Sequence, residues 1–273
     1  MDNKKVVLIT GASSGFGLSA AKMYAKEGYS VYAAARRLEK MNQLKAFGVK
    51  VLKMDVTDDA QVKDGVSSVI KNEGRIDILI NSAGYGGYGT IECVSMEEAH
   101  NQMEVNVFGT IRVIKAVLPY MRQMGEGRII NLSSVIGRSF YPVMGWYGAS
   151  KHAIESLSDT LRLEVAPFGI DVIIVEPAPV RTGFLGVGKK QITTVAHNKV
   201  YKGNVKRFMR RFSWLYKIAP GPDKVAKTLL KAGICDKPKR RYPVGLSGKL
   251  IVATRFMPRA VYDRVVKIVF GVR

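Results

Sequence analysis

Tyr147 and Lys151 stand four residues apart in the stretch Tyr147-Gly148-Ala149-Ser150-Lys151, inside a pattern that predicts a helix over 147–168. Residues four apart share a helix face, so the phenol and the ammonium are expected to point into the same space. A phenol with a pKa of about 10 is a poor acid–base catalyst near neutrality. An ammonium about 4 Å away, at an effective dielectric of about 20, favours the phenolate by about 4 kcal/mol. At about 1.4 kcal/mol per pKa unit, that brings the tyrosine to about 7. Ser134 lies thirteen positions before Tyr147, just after the apolar run 128–132 that reads as a buried strand. A hydroxyl there can hold a substrate oxygen beside the tyrosine. Tyr-x-x-x-Lys occurs by chance on many surface helices, so its weight depends on the elements around it.

Those elements repeat a strand–turn–helix rhythm. The first strand, 6–9, runs into Thr10-Gly11-Ala12-Ser13-Ser14-Gly15-Phe16-Gly17, and a helix pattern follows to about Gly28. Glycines let a backbone approach a pyrophosphate, and a helix N-terminus offers it free N–H groups and a dipole. Gly11, Ser13, Ser14, Gly15, Phe16 and Gly17 are therefore the expected phosphate contacts. The second strand, 30–35, ends at Ala35-Arg36-Arg37. At that tip a carboxylate would accept from a ribose 2′-OH, whereas a small residue followed by arginine suits a 2′-phosphate. Arg36 thus points to NADP(H) rather than NAD, and Arg37 either stacks on adenine or stays solvated.

A helix over 38–47 and a strand over 49–53 lead to Asp55 and Val56. Asp55 can take the adenine amino group or cap the helix that starts near Thr57. The fourth strand, 76–80, delivers Asn81-Ser82-Ala83-Gly84. A helical stretch over 96–124 contains Asn106, and Pro119 is expected to kink or end it. A sixth strand, 171–175, closes on Glu176-Pro177-Ala178-Pro179-Val180-Arg181-Thr182. Alternation of this kind predicts a parallel sheet with helices on both faces, with binding groups at the carboxyl ends of its strands. The chosen residues fall at those ends.

In order and spacing, Thr10-Gly11-x-x-x-Gly15-x-Gly17, Asp55, Asn81-Ser82-Ala83-Gly84, Asn106, Ser134 and Tyr147-x-x-x-Lys151 resemble the short-chain dehydrogenase/reductase family over roughly 5–182. The resemblance implies that Tyr147 is the general acid/base and Ser134 orients the substrate carbonyl. It implies that Lys151 binds the nicotinamide ribose while lowering the tyrosine pKa, and that Asn106 holds a water in a proton relay. Val180 and Thr182 would meet the nicotinamide carboxamide, and Val56, Asn81, Ala83, Gly84 and Pro177 would also bind the cofactor. Two departures are visible: Asn-Ser-Ala-Gly replaces the usual Asn-Asn-Ala-Gly, and Pro177-Ala178 replaces Pro-Gly. The second would stiffen the loop that covers the nicotinamide.

The fold expected is therefore α/β: a Rossmann-type doubly wound parallel sheet of about seven strands, in the order 3-2-1-4-5-6-7. Residues 1–273 form one domain, with a helical substrate lid over 183–219 and a basic amphipathic extension over 246–273. Only Cys93 and Cys235 are present, in no metal or redox spacing. His100, His152 and His197 are scattered, and Glu155 and Asp159 read as helix-surface groups. No apolar run reaches membrane-spanning length, which fits a cytoplasmic protein that is soluble or peripheral.

The net charge of +21 is unevenly spread: from Gly188 onward there are 22 Lys and Arg but only Asp223, Asp236 and Asp263. Val205, Phe208, Met209, Phe212 and Leu215 recur at helical spacing among Lys206, Arg207, Arg210 and Arg211. They read as a lid helix, with Trp214, Tyr216 and the arginines offered to an anionic membrane surface. The tail over 258–272 reads as a second basic amphipathic helix, packed on a partner subunit or lying in a lipid interface. No nucleic-acid module is present. The expected activity is NADPH-dependent interconversion of a hydrophobic ketone or aldehyde and its alcohol, of steroid, retinoid or other lipid type. A 3-oxoacyl thioester reductase and a non-enzymatic NADPH-binding, membrane-docking protein are the competing readings. By resemblance, a homodimer or homotetramer is expected.

Overall fold

The computed structural model describes residues 4–181 and 200–271. Seven parallel strands form one sheet in the order β3-β2-β1-β4-β5-β6-β7. They are β1 (Val6–Thr10), β2 (Ser30–Ala35), β3 (Lys50–Lys53), β4 (Ile78–Asn81), β5 (Gly127–Leu132), β6 (Ile170–Pro177) and β7 (Arg241–Val244). Alternate side chains of a strand leave opposite faces. Accordingly, Val7 and Ile9 of β1 enter one core and Val6 and Leu8 the other. The first core is covered by α1 (Gly15–Lys26) and α8 (Asp223–Ile234), through Ala20, Ala21, Tyr24, Val225 and Leu229. The second is covered by α3 (Asp59–Glu73), α5 (Gly109–Met124) and the far end of α6 (Gly145–Val165), through Val66, Val113, Val117 and Val165. A sheet buried on both faces explains the nearly continuous apolar strands.

Several boundaries differ from the sequence expectation. The helix expected over 38–47 is a 3₁₀ turn followed by the short α2 (Asn42–Lys45). Asp58, not Asp55 or Thr57, caps α3, accepting from the Ala60 and Gln61 amides. Pro119 does not end α5; it is exposed, so the carbonyl it leaves without a donor faces water, while Val113, Val117 and Met121 anchor the helix on both sides. The interruption instead falls at Glu104–Phe108, a π turn between α4 (Met96–Met103) and α5. This widened turn holds Asn106, and the Thr110 hydroxyl donates to the Asn106 carbonyl at 3.0 Å.

The C-terminal third adds α7 (Lys202–Lys217), α9 (Gly245–Ala253) and α10 (Arg259–Phe270). The apolar stripe of α7 buries Val205, Phe208, Phe212 and Tyr216. Tyr262, Val266 and Phe270 of α10 enter the same cluster, together with Tyr88 and Tyr147. The tail helix therefore packs on the chain's own lid helix. Phe270 stacks on Phe208 at 4.8 Å between ring centroids. Among the described residues, no helix is long and apolar enough to cross a membrane.

Candidate active site

The parallel order reverses direction between β1 and β4, and the two strand ends are stitched together there. The Thr10 hydroxyl accepts from the amides of Ser82 and Ala83, each at 3.2 Å. Gly11 follows with φ +67°, and a Cβ on it would lie 2.7 Å from the Ala83 backbone. Only glycine satisfies both the left-handed backbone and this approach. Ser14 precedes α1 in extended conformation, and its side chain makes no capping bond. Ser14 therefore leaves the first-turn N–H groups of Gly15, Phe16 and Gly17 uncapped by its side chain, as an anion cradle requires.

Along the carboxyl edge, Arg36 at the tip of β2 is 71% exposed and its guanidinium lies 3.8 Å from the Asp55 carboxylate. Arg37, also exposed, starts the 3₁₀ turn. The other Asp55 oxygen accepts from Thr57 N and Oγ1, at 3.0 and 2.8 Å, which fixes the carboxylate at the end of β3. Val56 is buried against α5, where a Cβ on Gly109 would come 2.7 Å from its methyl group.

Asn81 is buried between strands, and its amide donates to Asn131 Oδ1 at 2.9 Å. Asn131 in turn donates to Ser158 on α6 at 2.9 Å. The loop after β4 is held by Asn106, whose Oδ1 accepts from Tyr85 N at 3.0 Å while Nδ2 donates to Tyr85 O at 2.9 Å. Nδ2 also donates to Ser150 at 3.0 Å, and Ser150 donates to the Tyr147 carbonyl at 2.7 Å. Asn106 therefore ties the Gly84–Tyr85 loop to the first turns of α6. Gly84 packs tightly there, since a Cβ would sit 3.0 Å from Asn106 Oδ1 and 3.8 Å from Lys151 Nζ.

Tyr147 and Lys151 are both buried on α6, and the Ser134 side chain acts on the Tyr147 phenol to lower its pKa. Ser134 Oγ also donates to the Pro177 carbonyl at 3.3 Å, linking the ends of β5 and β6. Burial pushes the Tyr147 phenol up to about 12, opposed by the Ser134 side chain and reinforced by Tyr216. The expected pKa of about 7 is not what this geometry gives. Desolvation opposes the phenolate, and the Lys151 ammonium is itself disfavoured, its pKa lowered by burial to about 8. Nζ of Lys151 donates to the Leu132 carbonyl at 2.8 Å.

Ala178 and Val180 are buried after β6, with Val180 in the first core cluster. Thr182 lies outside the described residues, as do His197 and the part of the expected lid over 183–199. A cleft of ≈ 540 Å³ opens between the 89–92 loop, the 141–145 loop and α7, lined by Gly89, Tyr141, Val143, Tyr201 and Val205 among others. It adjoins the apolar cluster that contains Tyr147.

The sequence reading missed one group. Glu155 is not a surface residue: it and Glu176 are buried, and they share the Arg241 guanidinium, whose Nε lies 3.0 Å from Glu155 and 3.8 Å from Glu176. Arg138 completes the cluster at 3.3 Å from Glu176. A glutamate closing the apolar run Val172-Ile173-Ile174-Val175, and an asparagine inside Ile129-Ile130-Asn131-Leu132, were the available signals. Buried polar side chains on a strand call for partners.

A phosphate-type cradle at a topological switch point, facing a serine–tyrosine–lysine group, defines a doubly wound α/β oxidoreductase. The chain belongs to the short-chain dehydrogenase/reductase family, whose profile, described as short chain dehydrogenase, matches residues 5–192. It is 34% identical over 265 residues to the probable short-chain type dehydrogenase/reductase VdlC of Helicobacter pylori, covering 97% of each chain. It is 44% identical over 181 residues to 3-ketodihydrosphingosine reductase of Bacteroides thetaiotaomicron, covering 66% of this chain and 65% of that protein. A crystal structure of a short-chain dehydrogenase from Streptomyces avermitilis superposes with a TM-score of 0.83, at 31% identity and covering 100% of both chains.

Proposed function

We propose that the protein is an NADP(H)-dependent reductase of hydrophobic ketones or aldehydes. The observation that carries this reading is the buried Tyr147 phenol with the Ser134 side chain acting on it and Lys151, also buried, one helical turn further on. Ser134 holds the carbonyl oxygen and Tyr147 gives it a proton, or takes one from the alcohol in the reverse direction. Burial keeps Tyr147 protonated at neutral pH, as a proton donor must be. Lys151 holds positive charge beside the site and positions the ribose hydroxyls. Asn106 keeps the Gly84–Tyr85 loop and α6 in register.

The residues fit a dinucleotide. The first turn of α1, uncapped by the Ser14 side chain, and the close approach at Gly11 form a cradle at the end of β1. Arg36 is an exposed cation at the β2 tip, suited to a 2′-phosphate, with Asp55 beside it for the adenine amino group. When bound, the nicotinamide supplies or accepts the hydride.

The substrate class follows from the apolar surroundings. Tyr88, Val143, Met144, Phe212 and Tyr216 cluster with Tyr147. These side chains favour a long-chain or polycyclic substrate, and the similarity to a protein named 3-ketodihydrosphingosine reductase supports a long-chain ketone. The test is NADPH oxidation by the purified protein across long-chain ketones, steroid ketones, retinal and 3-oxoacyl thioesters, with Tyr147→Phe alongside. Turnover that persists in Tyr147→Phe would overturn the mechanism, and a preference for thioesters would overturn the substrate class.

A further inference from the structure

The two helices that end the chain leave apolar side chains in water. α9 reads Gly-Leu-Ser-Gly-Lys-Leu-Ile-Val-Ala, yet only Gly248 in it is buried. Leu246 is 72% exposed, Phe256 in the following turn 81%, and Ile268 of α10 68%. On α10, Tyr262, Val266 and Phe270 face α7, which leaves a second stripe, Val261, Val265 and Ile268, on the outside. Their spacing of four and three residues places them on one helix face. Single exposed apolar residues are ordinary, but a run of them on consecutive elements is not.

Exposed cations share this segment: Lys249, Arg255, Arg259, Arg264 and Lys267, with Asp263 as its only acid. Arg255 sits over the Phe256 ring and Arg259 over the Phe140 ring, each at 5.1 Å, and Arg207 and Arg211 of α7 are bound to main-chain carbonyls. Arg207 donates to the Gly271 carbonyl at 2.9 Å and Arg211 to the Val269 carbonyl at 2.8 Å. They close the C-terminal end of α10 and fix that helix to the lid. Tyr216 is likewise buried, so the expectation that it meets a membrane is corrected, whereas Trp214, three residues after Arg211, remains exposed.

We propose that the outer face of α9 and α10 docks in plane on an anionic lipid bilayer. A second copy of this chain is disfavoured, because it would set two such cationic segments against each other, each on a molecule of net charge +21. An anionic bilayer meets both kinds of side chain: phosphates for the Lys and Arg, and the acyl boundary for Leu246, Leu250, Phe256 and Ile268. The inner face of α10 belongs to the cluster that contains Tyr147, so the docked helix and the reaction centre share one apolar body. The docking inference does not depend on the substrate proposed above.

The test is flotation of the full chain with vesicles of phosphatidylglycerol and phosphatidylcholine, and with phosphatidylcholine alone. The comparison protein is Leu246→Ser/Phe256→Ser/Ile268→Ser, whose changes lie at exposed positions. Wild type is expected to float with the anionic vesicles only, and the triple variant to bind them about tenfold or more weakly with an unchanged melting temperature. Three results overturn the proposal. One is wild type that stays unbound, and another is a triple variant that binds as tightly as wild type. The third is an oligomer that dissociates in the triple variant while vesicle binding is absent, which would make this face a subunit interface.

Discussion

Nζ of Lys151 donates to the Leu132 main-chain carbonyl across 2.8 Å, tying α6 to the end of β5. One carbonyl does not replace the hydration of a buried ammonium, so the lysine pKa falls to about 8, with Glu155 pulling the other way. Its proton is therefore held less tightly in the folded chain than in the unfolded one, where the value is 10.5. Between those two values the unfolded chain binds more protons, so stability rises with pH. Relative to Lys151→Met, wild type is expected to gain up to about 3 kcal/mol as the pH rises through that window. Urea unfolding of both proteins at several alkaline pH values measures it, and a constant difference would show that the folded lysine is not disfavoured as a cation.

Direction of turnover should separate the two protonation states of Tyr147. With burial holding the phenol at about 12, reduction has its proton donor throughout the neutral range, while oxidation needs the rare phenolate. Reduction is expected to show no acid limb from Tyr147, and oxidation of the matching alcohol to quicken steadily from pH 7 to 10. Profiles of kcat/KM against pH in both directions test this. An oxidation rate level over that interval would mean that the phenol titrates lower than its burial dictates.

Gly11 joins fold and site, since its φ of +67° and the 2.7 Å approach to Ala83 leave no room for a methyl group. Gly11→Ala is expected to cost about 2 kcal/mol or more in stability and to abolish tight dinucleotide binding. Chemical denaturation and fluorescence titration with NADPH measure the two effects. A variant as stable as wild type would show that the β1–α1 turn yields easily.

Much of this arrangement is legible in the sequence because it depends on local patterns. Apolar runs fix the strands, Gly11, Gly15 and Gly17 mark the first turn, and Tyr147 and Lys151 share a face because α6 is a regular helix. What escapes is set by tertiary packing. The helix break at Glu104–Phe108 rather than at Pro119 reflects the Asn106 bonds to Tyr85 and Ser150, from segments far apart in sequence. Glu155 looks like a surface residue until β7 delivers Arg241 beside it. The tyrosine pKa also escapes, because spacing reports a neighbouring charge but not the water removed around both groups.

Cofactor choice rests on Arg36, which has no close partner besides Asp55 at 3.8 Å among the ion pairs of the described residues. A guanidinium bonded to a phosphate contributes about 1.5–3 kcal/mol. Arg36→Ala is therefore expected to weaken NADPH binding about 10- to 100-fold and to leave NADH within about threefold. Calorimetric titration with each cofactor decides the matter, and equal losses for both would refute the assignment.

Glu176 gives the last prediction, because it is fully buried at the end of β6 and competes with Glu155 for Arg241. Burial first, then the Glu155 charge, raise its carboxyl well above the usual range, and Arg138 and Arg241 only partly offset them. Asp159, paired with Arg241, and Lys151, which senses Glu155, complete the charges around the pair. Above the ordinary value of 4.5 the unfolded chain releases this proton while the folded chain retains it, so stability falls as pH rises. Glu176→Gln removes that titration. Its stability relative to wild type should climb from pH 5 and level off above about 7, where the folded glutamate is pushed up to titrate, whatever constant offset arises from the altered bonds to Arg138. Thermal or urea unfolding of both proteins across that interval reads the slope. A slope of zero would mean that the two arginines hold Glu176 ionised throughout, and that the buried cluster is a balanced ion network rather than one that keeps a proton.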